Sequence, residues 1–292
     1  MEPQKSRCCT LIDGAFDDVR QIPVSGSSTF RVDIIFSYKF FAHHHNRAVY
    51  VAHALETIDA MGNELQVFIK KRMPLRPTQI IEEINNYLFK ILGFRGNEHD
   101  YFNPLNNFLN VVVERRLGIP ITLSILYMRT AHVLNFKLYP VSFPAHFLVK
   151  HTLEDDDEII IDPYNGGRIM DDYTLKHLLD QFYPNQNIPL TKDFVRKATA
   201  TQVLVRLLNN LKASYYESQD LDSTEIANEM ILTLDKYNPN AVRDKGILLI
   251  KKQRLEQALE MLNLYLELDP EAEDVDVILD TIHKTRSSMN KK

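Results

Sequence analysis

Between Pro120 and Leu134 the chain carries one full charge, Arg129, and is apolar on almost every side. A helix of that kind has no face to offer to water, so it belongs inside a core with other elements packed around it. The hydrophobic period then changes to two. Lys137 to Phe143, Ala145 to Thr152 and Glu158 to Asp162 read as three short strands. A buried helix followed directly by a small sheet predicts an α+β core, with helices packed on antiparallel strands.

The flanks fit that core. From Asn46 to about Lys71, Val49, Ala52, Leu55, Ile58 and Met61 recur on one helical face. Met73-Pro74-Leu75-Arg76-Pro77 breaks the helix, and Thr78 is placed as the N-cap of the next, which Gly93 stops. Asn103-Pro104 opens a third helix to about residue 116, ended by Gly118. Asp162-Pro163-Tyr164-Asn165-Gly166-Gly167 is a turn, and a helix near 171–182 follows before Pro184. After Pro189 the pattern is helical to the end. Ala227 and Ala258 stand at the same interval as Pro239 and Pro270, with Gly246 between, a repeat slightly shorter than the period of about 34 in tetratricopeptide arrays. Three segments result: an N-terminal tail at 1–46, partly disordered, a core domain at 47–187, and a helical domain at 188–292.

Composition narrows the function classes. Hydrophobic residues make up 45% and charged residues 25% of the chain, the ordinary globular range. A net charge of -5 argues against a nucleic-acid binder with a broad basic face. The apolar stretch Phe30 to Phe41 is interrupted by Arg31, Asp33 and Lys39 and is too short for the roughly 20 residues a membrane helix needs. No secretory signal is visible, and the expected location is cytoplasmic. Cys8 and Cys9 are adjacent and read as free thiols, since two cysteines complete neither a disulfide framework nor a zinc site. His43-His44-His45 reads as a solvated turn, because consecutive side chains diverge. The acidic run Glu154 to Glu158 lacks the spacing and glycine of a calcium loop and reads as a hairpin tip. No metal and no cofactor are expected.

Several motifs in fixed order carry a resemblance. They are Leu92-Gly93-Phe94-Arg95-Gly96-Asn97, Phe108-Leu109-Asn110, Glu114-Arg115-Arg116, Gly118-Ile119-Pro120-Ile121-Thr122-Leu123-Ser124 with Tyr127, Phe143-Pro144-Ala145-His146-Phe147-Leu148-Val149, and Asp162 to Gly167. The series resembles the SirB-type family, in which a papain-like, transglutaminase-like core precedes a tetratricopeptide-like tail. A related region occurs in a vertebrate F-box-only protein. The resemblance implies a Cys-His-Asp order, with cysteine at the start of the buried helix, where the helix dipole favours a thiolate. Here that position is Pro120, the histidine is His146 and the aspartate is Asp162. Ala145 stands where the family usually has glycine.

Proline suits the first turn of a helix but offers no nucleophile. Thr122 and Ser124 are the nearby hydroxyls. Thr122 is either a substitute nucleophile served by His146 or a residue bonded within its own helix turn. His146 and Asp162 are either a surviving acid–base dyad or a mutually satisfied structural pair. Arg115 and Arg116 read as a helix-end pair on a solvated face, or as an anion site. Asn165-Gly166-Gly167 reads as a turn, or as a nest of backbone N–H groups. The leading reading is a non-catalytic module that binds a protein or peptide partner. The alternative is an acyl-transfer or amide-hydrolysing enzyme using Thr122 with the His146/Asp162 dyad. A third reading, a ubiquitin-ligase adaptor, rests on an echo of an F-box at residues 32–38.

Overall fold

The computed structural model describes the backbone of residues 48–289 and side chains from residue 53 to 289. The two cysteines, the triple histidine, the 30–41 segment and the F-box echo lie outside the described residues. Helix α1, Ala48–Ile69, turns Leu55, Ile58, Leu65 and Ile69 into the core. Helix α2, Pro77–Asn85, starts earlier than the Thr78 cap predicts. Arg76 is the cap and Pro77 the first helical residue, a place where the missing N–H of proline costs nothing. A π-type segment, Asn86–Ile91, continues it.

The single helix expected from 104 to 116 is two pieces. A 3-10 turn, Pro104–Asn107, precedes helix α3, Leu109–Arg115, and an extended Phe108 separates them. The stop is Arg116 in the left-handed region, φ 57°, rather than Gly118. Its N–H closes the last turn on the Val112 carbonyl at 2.8 Å. Gly118 instead belongs to β2, Leu117–Gly118, which pairs in parallel with β1, Arg95–Gly96. Helix α4, Pro120–Val133, is buried at every position from Pro120 to Met128. Its charge, Arg129, meets Asp59 of α1 through two hydrogen bonds of 2.6 and 2.5 Å.

Four strands form an antiparallel meander in chain order: β3 (Tyr139–Val141), β4 (Leu148–Thr152), β5 (Glu158–Asp162) and β6 (Arg168–Met170). The fourth strand escaped the sequence reading because its three residues show no buried-exposed alternation. Strand β4 also starts later than Ala145. Ala145 has φ +50°, and His146 sits in a turn closed by its own N–H to the Phe143 carbonyl at 3.1 Å. An L side chain is strained in that region, where glycine would not be. Ala145→Gly should therefore leave stability unchanged or raise it by up to about 1 kcal/mol in chemical denaturation. A loss of stability would place the strain elsewhere. The acidic run lies at the β4–β5 tip, where the Leu153 N–H meets the Asp157 carbonyl at 2.8 Å.

Helix α5, Asp172–Phe182, is capped by Asp171, whose carboxylate accepts the Thr174 N–H at 2.8 Å. It lays Leu175 and Leu179 on Val141, Phe143, Leu148 and Ile160 of the sheet side. Ile188, Leu190, Phe194 and Val195 pack on the same cluster, and the Ala198 N–H reaches the Pro140 carbonyl at 2.8 Å. The first compact unit thus runs past the Pro184–Pro189 region and ends at Arg206.

Helix α6, Ala200–Glu217, contains the division, and its later turns belong to the second unit. That unit continues as α7 (Leu221–Leu234), α8 (Pro239–Lys251), α9 (Leu255–Leu268) and α10 (Val275–Met289), each packed on the next. Gly246 allows α8 to approach α9: a Cβ there would lie 2.6 Å from Leu262 Cδ2. Among the described residues no helix is long and apolar enough to cross a membrane. No group of three or more His, Cys, Asp or Glu side chains among them is placed to hold a metal ion.

Candidate functional site

The β4–β5 register sets Val149 opposite Ile161, which brings the start of β4 beside the end of β5. His146, two residues before β4, therefore meets Asp162, the last residue of β5. His146 Nε2 and Asp162 Oδ1 are 2.9 Å apart, and both side chains are nearly enclosed, at 7% and 2% exposure. The other ring nitrogen, Nδ1, makes no hydrogen bond to a described residue. A histidine held through one nitrogen with the other unbound can accept or deliver a proton, or bond to a ligand, at the open one.

Asp162 has a second task. It caps the 3-10 turn Pro163–Asn165: Oδ1 accepts the backbone N–H groups of Tyr164 at 3.1 Å and Asn165 at 3.3 Å. Oδ2 accepts the side-chain amide of Asn165 at 2.7 Å. Burial opposes its charge, but the bond and charge of His146, together with both Asn165 bonds, outweigh it and hold the carboxyl below the usual aspartate range. The Asn165-Gly166-Gly167 motif is a turn whose first residue helps to anchor this carboxylate.

Tyr164 stands edge-on to the imidazole, with centroids 5.8 Å apart and an interplanar angle of 82°. Burial, with Glu98, Tyr101 and Asp162 nearby, pushes its hydroxyl up to about 12. Asn85 braces the same turn from behind. Its Nδ2 donates to the Gly167 carbonyl at 2.8 Å, and its Oδ1 accepts the Tyr127 hydroxyl at 2.8 Å.

The hydroxyls on α4 point into local structure. Thr122 Oγ1 accepts the Ile119 N–H at 3.0 Å, and its proton faces the carbonyls of Asn106 at 3.0 Å and Ile119 at 3.2 Å. Ser124 Oγ donates to the Phe147 carbonyl at 3.3 Å. Neither is hydrogen-bonded to His146. Pro120, buried, opens the helix at the position the resemblance assigns to cysteine. Thr122→Val keeps the volume and removes the cap, so thermal and denaturant melts should show a loss of about 1–3 kcal/mol. No loss would mean that the hydroxyl is free for other use. Arg115 and Arg116 are exposed at the end of α3.

One neighbour of the pair carried no motif: Arg206, on α6. Arg206 Nη2 donates to the main-chain oxygen of His146 at 3.4 Å. Nothing in the spacing of residue 206 relates it to residue 146, since the two elements meet only through the packing of the first unit.

Comparisons agree with this architecture. The family model described as "Transglutaminase-like superfamily" matches residues 52–209, and "Tetratricopeptide repeat" matches residues 211–283. A UPF0162 protein from Xylella fastidiosa (strain Temecula1) is 36% identical over 200 residues, covering 67% of this chain and 70% of the relative. A UPF0162 protein from Haemophilus influenzae is 24% identical over 235 residues, covering 79% and 86%. F-box only protein 21 of Mus musculus is 34% identical over 141 residues, covering 46% of this chain but only 21% of that protein. No solved structure gives a significant match. The small antiparallel sheet with its buried helix and the helical second unit thus agree with a shown lineage: the chain belongs to the transglutaminase-like superfamily, as a relative of the UPF0162 proteins.

Proposed function

We propose that this chain is a non-catalytic, transglutaminase-like protein of the SirB type that acts as a protein-interaction or regulatory module in the cytoplasm. The observation that carries the reading is Pro120 at the head of α4, the place of the thiol in an active relative, with the Thr122 hydroxyl spent on Ile119 and Asn106. The site at His146 and Asp162 then binds rather than cleaves. The tetratricopeptide-type unit adds a second docking face, as stacks of this kind commonly present a groove to peptides. The partner is a protein or peptide; nucleic acid is disfavoured by the net charge of -5.

The test has two arms on the full chain. Affinity capture from expressing cells, followed by reconstitution with the purified partner, should give a stoichiometric complex that Thr122→Val leaves intact. Incubation with a panel of peptide esters and glutamine-containing peptides should give the same background turnover for the wild type, Thr122→Val and His146→Ala. Turnover lost in both variants would replace this reading with acyl transfer through Thr122, the His146/Asp162 pair serving as base and orienter.

A further inference from the structure

The antiparallel sheet has two edges, β3 and β6, and the fold treats them differently. At β3 the Ala198 N–H donates to the Pro140 carbonyl at 2.8 Å, so the middle residue of that edge strand is covered by a later stretch of the first unit. At β6 the backbone groups of Arg168, Ile169 and Met170 meet only β5 among the described residues. Arg168 and Ile169 are exposed to solvent. A strand whose outer row of N–H and C=O groups is unclaimed is a template for another strand.

The space beside that edge is already shaped. A cavity of about 600 Å³ is walled by β6 and α5. Arg168 and Met170, alternate residues on one face of the strand, line one side of it. Tyr173, His177 and Gln181, at successive turns of the helix, line the other. The charges favour an acidic occupant. Arg168 and His177 make no hydrogen bond or ion pair among the described residues. Asp171, near enough to feel the charge of Arg168, spends its carboxylate on the cap at Thr174. The carboxylate in the cavity wall, Asp162, is taken by His146, Tyr164 and Asn165.

We propose that the open edge of β6 takes a short, extended, acidic segment of a protein partner as a further strand of the sheet, with its acidic side chains in the cavity against α5. This deepens the interaction reading by naming the partner's chemistry and its mode of binding, and it rests on that reading. Strand addition supplies the main-chain hydrogen bonds, and the cavity supplies the choice of side chain. Alternate residues of the added strand share a face, so an acid opposite Arg168 has its apolar neighbours on the other face, beside the exposed Ile169.

The test follows the backbone amides of residues 168–170 by NMR and hydrogen exchange in the full chain. The probes are acetyl-Val-Glu-Val-Glu-Val-amide, the same peptide with lysine for both glutamates, and the acidic peptide with proline for its central valine. N-acetylglutamic α-amide, a carboxylate without a strand, is the fourth probe. The acidic peptide should shift these amides saturably and slow their exchange. The lysine peptide should bind about tenfold more weakly, since attraction to Arg168 becomes repulsion. The proline peptide should lose about fivefold or more, having lost a main-chain donor. Arg168→Glu should reverse the order of the acidic and basic peptides; the position is exposed, and an unchanged thermal melt checks that the variant is folded. No saturable shift at 168–170, equal affinity for the two charged peptides, undiminished binding of the proline peptide, or an equal response to the single amino acid would overturn the proposal. A titration that works in a protein recruiting no partner would keep the edge site and remove the interaction reading. A captured partner that leaves these amides unprotected would do the reverse.

Discussion

Asp162→Ala should cost the fold about 3–5 kcal/mol in denaturant unfolding, because one buried carboxylate serves four donors. They are His146 Nε2 at 2.9 Å, the backbone N–H groups of Tyr164 and Asn165 at 3.1 and 3.3 Å, and the Asn165 amide at 2.7 Å. Alanine leaves all of them without an acceptor in a site the carboxylate exposes by only 2%. Asp162→Asn keeps the shape and one acceptor oxygen, so its loss should be nearer about 1–2 kcal/mol. The two variants also separate by pH. The native carboxyl lies below the ordinary aspartate range. A depressed folded-state pKa contributes stability that is present above the unfolded value and is lost as pH falls through the folded one. Wild-type stability should therefore drop more steeply than that of Asp162→Asn as pH falls below about 5. Parallel curves for the two proteins, or a cost under about 1 kcal/mol for alanine, would show that the pair carries no such charge-linked energy.

Gly167→Ala should cost about 3 kcal/mol or more, whereas Gly166→Ala should cost only about 1 kcal/mol. Both glycines are left-handed, at φ +76° and +71°, so the backbone strain of a side chain is alike at the two positions. They differ in room. A Cβ at Gly166 meets nothing within 4 Å, while one at Gly167 would fall 1.8 Å from Asn85 Oδ1. Asn85 cannot simply withdraw, because it bonds the Gly167 carbonyl and receives the Tyr127 hydroxyl from the buried helix, each at 2.8 Å. Displacing it strands the buried Tyr127 hydroxyl and loosens the turn that begins at Asp162. Paired thermal melts decide the matter: equal losses for the two alanine variants would mean that the Asn85 brace is absent in solution.

The interaction reading and the geometry meet at Thr122. As a candidate nucleophile it lies close in sequence to the expected cysteine position, but its oxygen closes the first turn of α4 on Ile119 N–H at 3.0 Å. Threonine has a short side chain with a hydroxyl that readily bonds backbone one turn away, and the buried backbone of a helix start has few other partners. The same economy explains Asp162, which caps a turn and holds an imidazole with one carboxylate.

Burial around α4 was legible in residue order, because an uncharged run leaves a helix no face for water. So were the β4–β5 hairpin around the acidic run and the turn at Asp162 to Gly167, whose residue types select their own backbone angles. Strand β6 and the break at Phe108 were not: the first is too short for a period, and the second depends on what packs against it. The pairing of His146 with Asp162 was expected from a resemblance, not from periodicity, and its distance comes from strand register. Arg206 beside His146 had no local trace at all, since a helix sixty residues on reaches that carbonyl only after the first unit has closed. Periodicity and turn chemistry are local quantities, written in neighbouring residues. Which distant side chain comes to rest against an imidazole depends on how whole elements pack, and that belongs to the folded molecule alone.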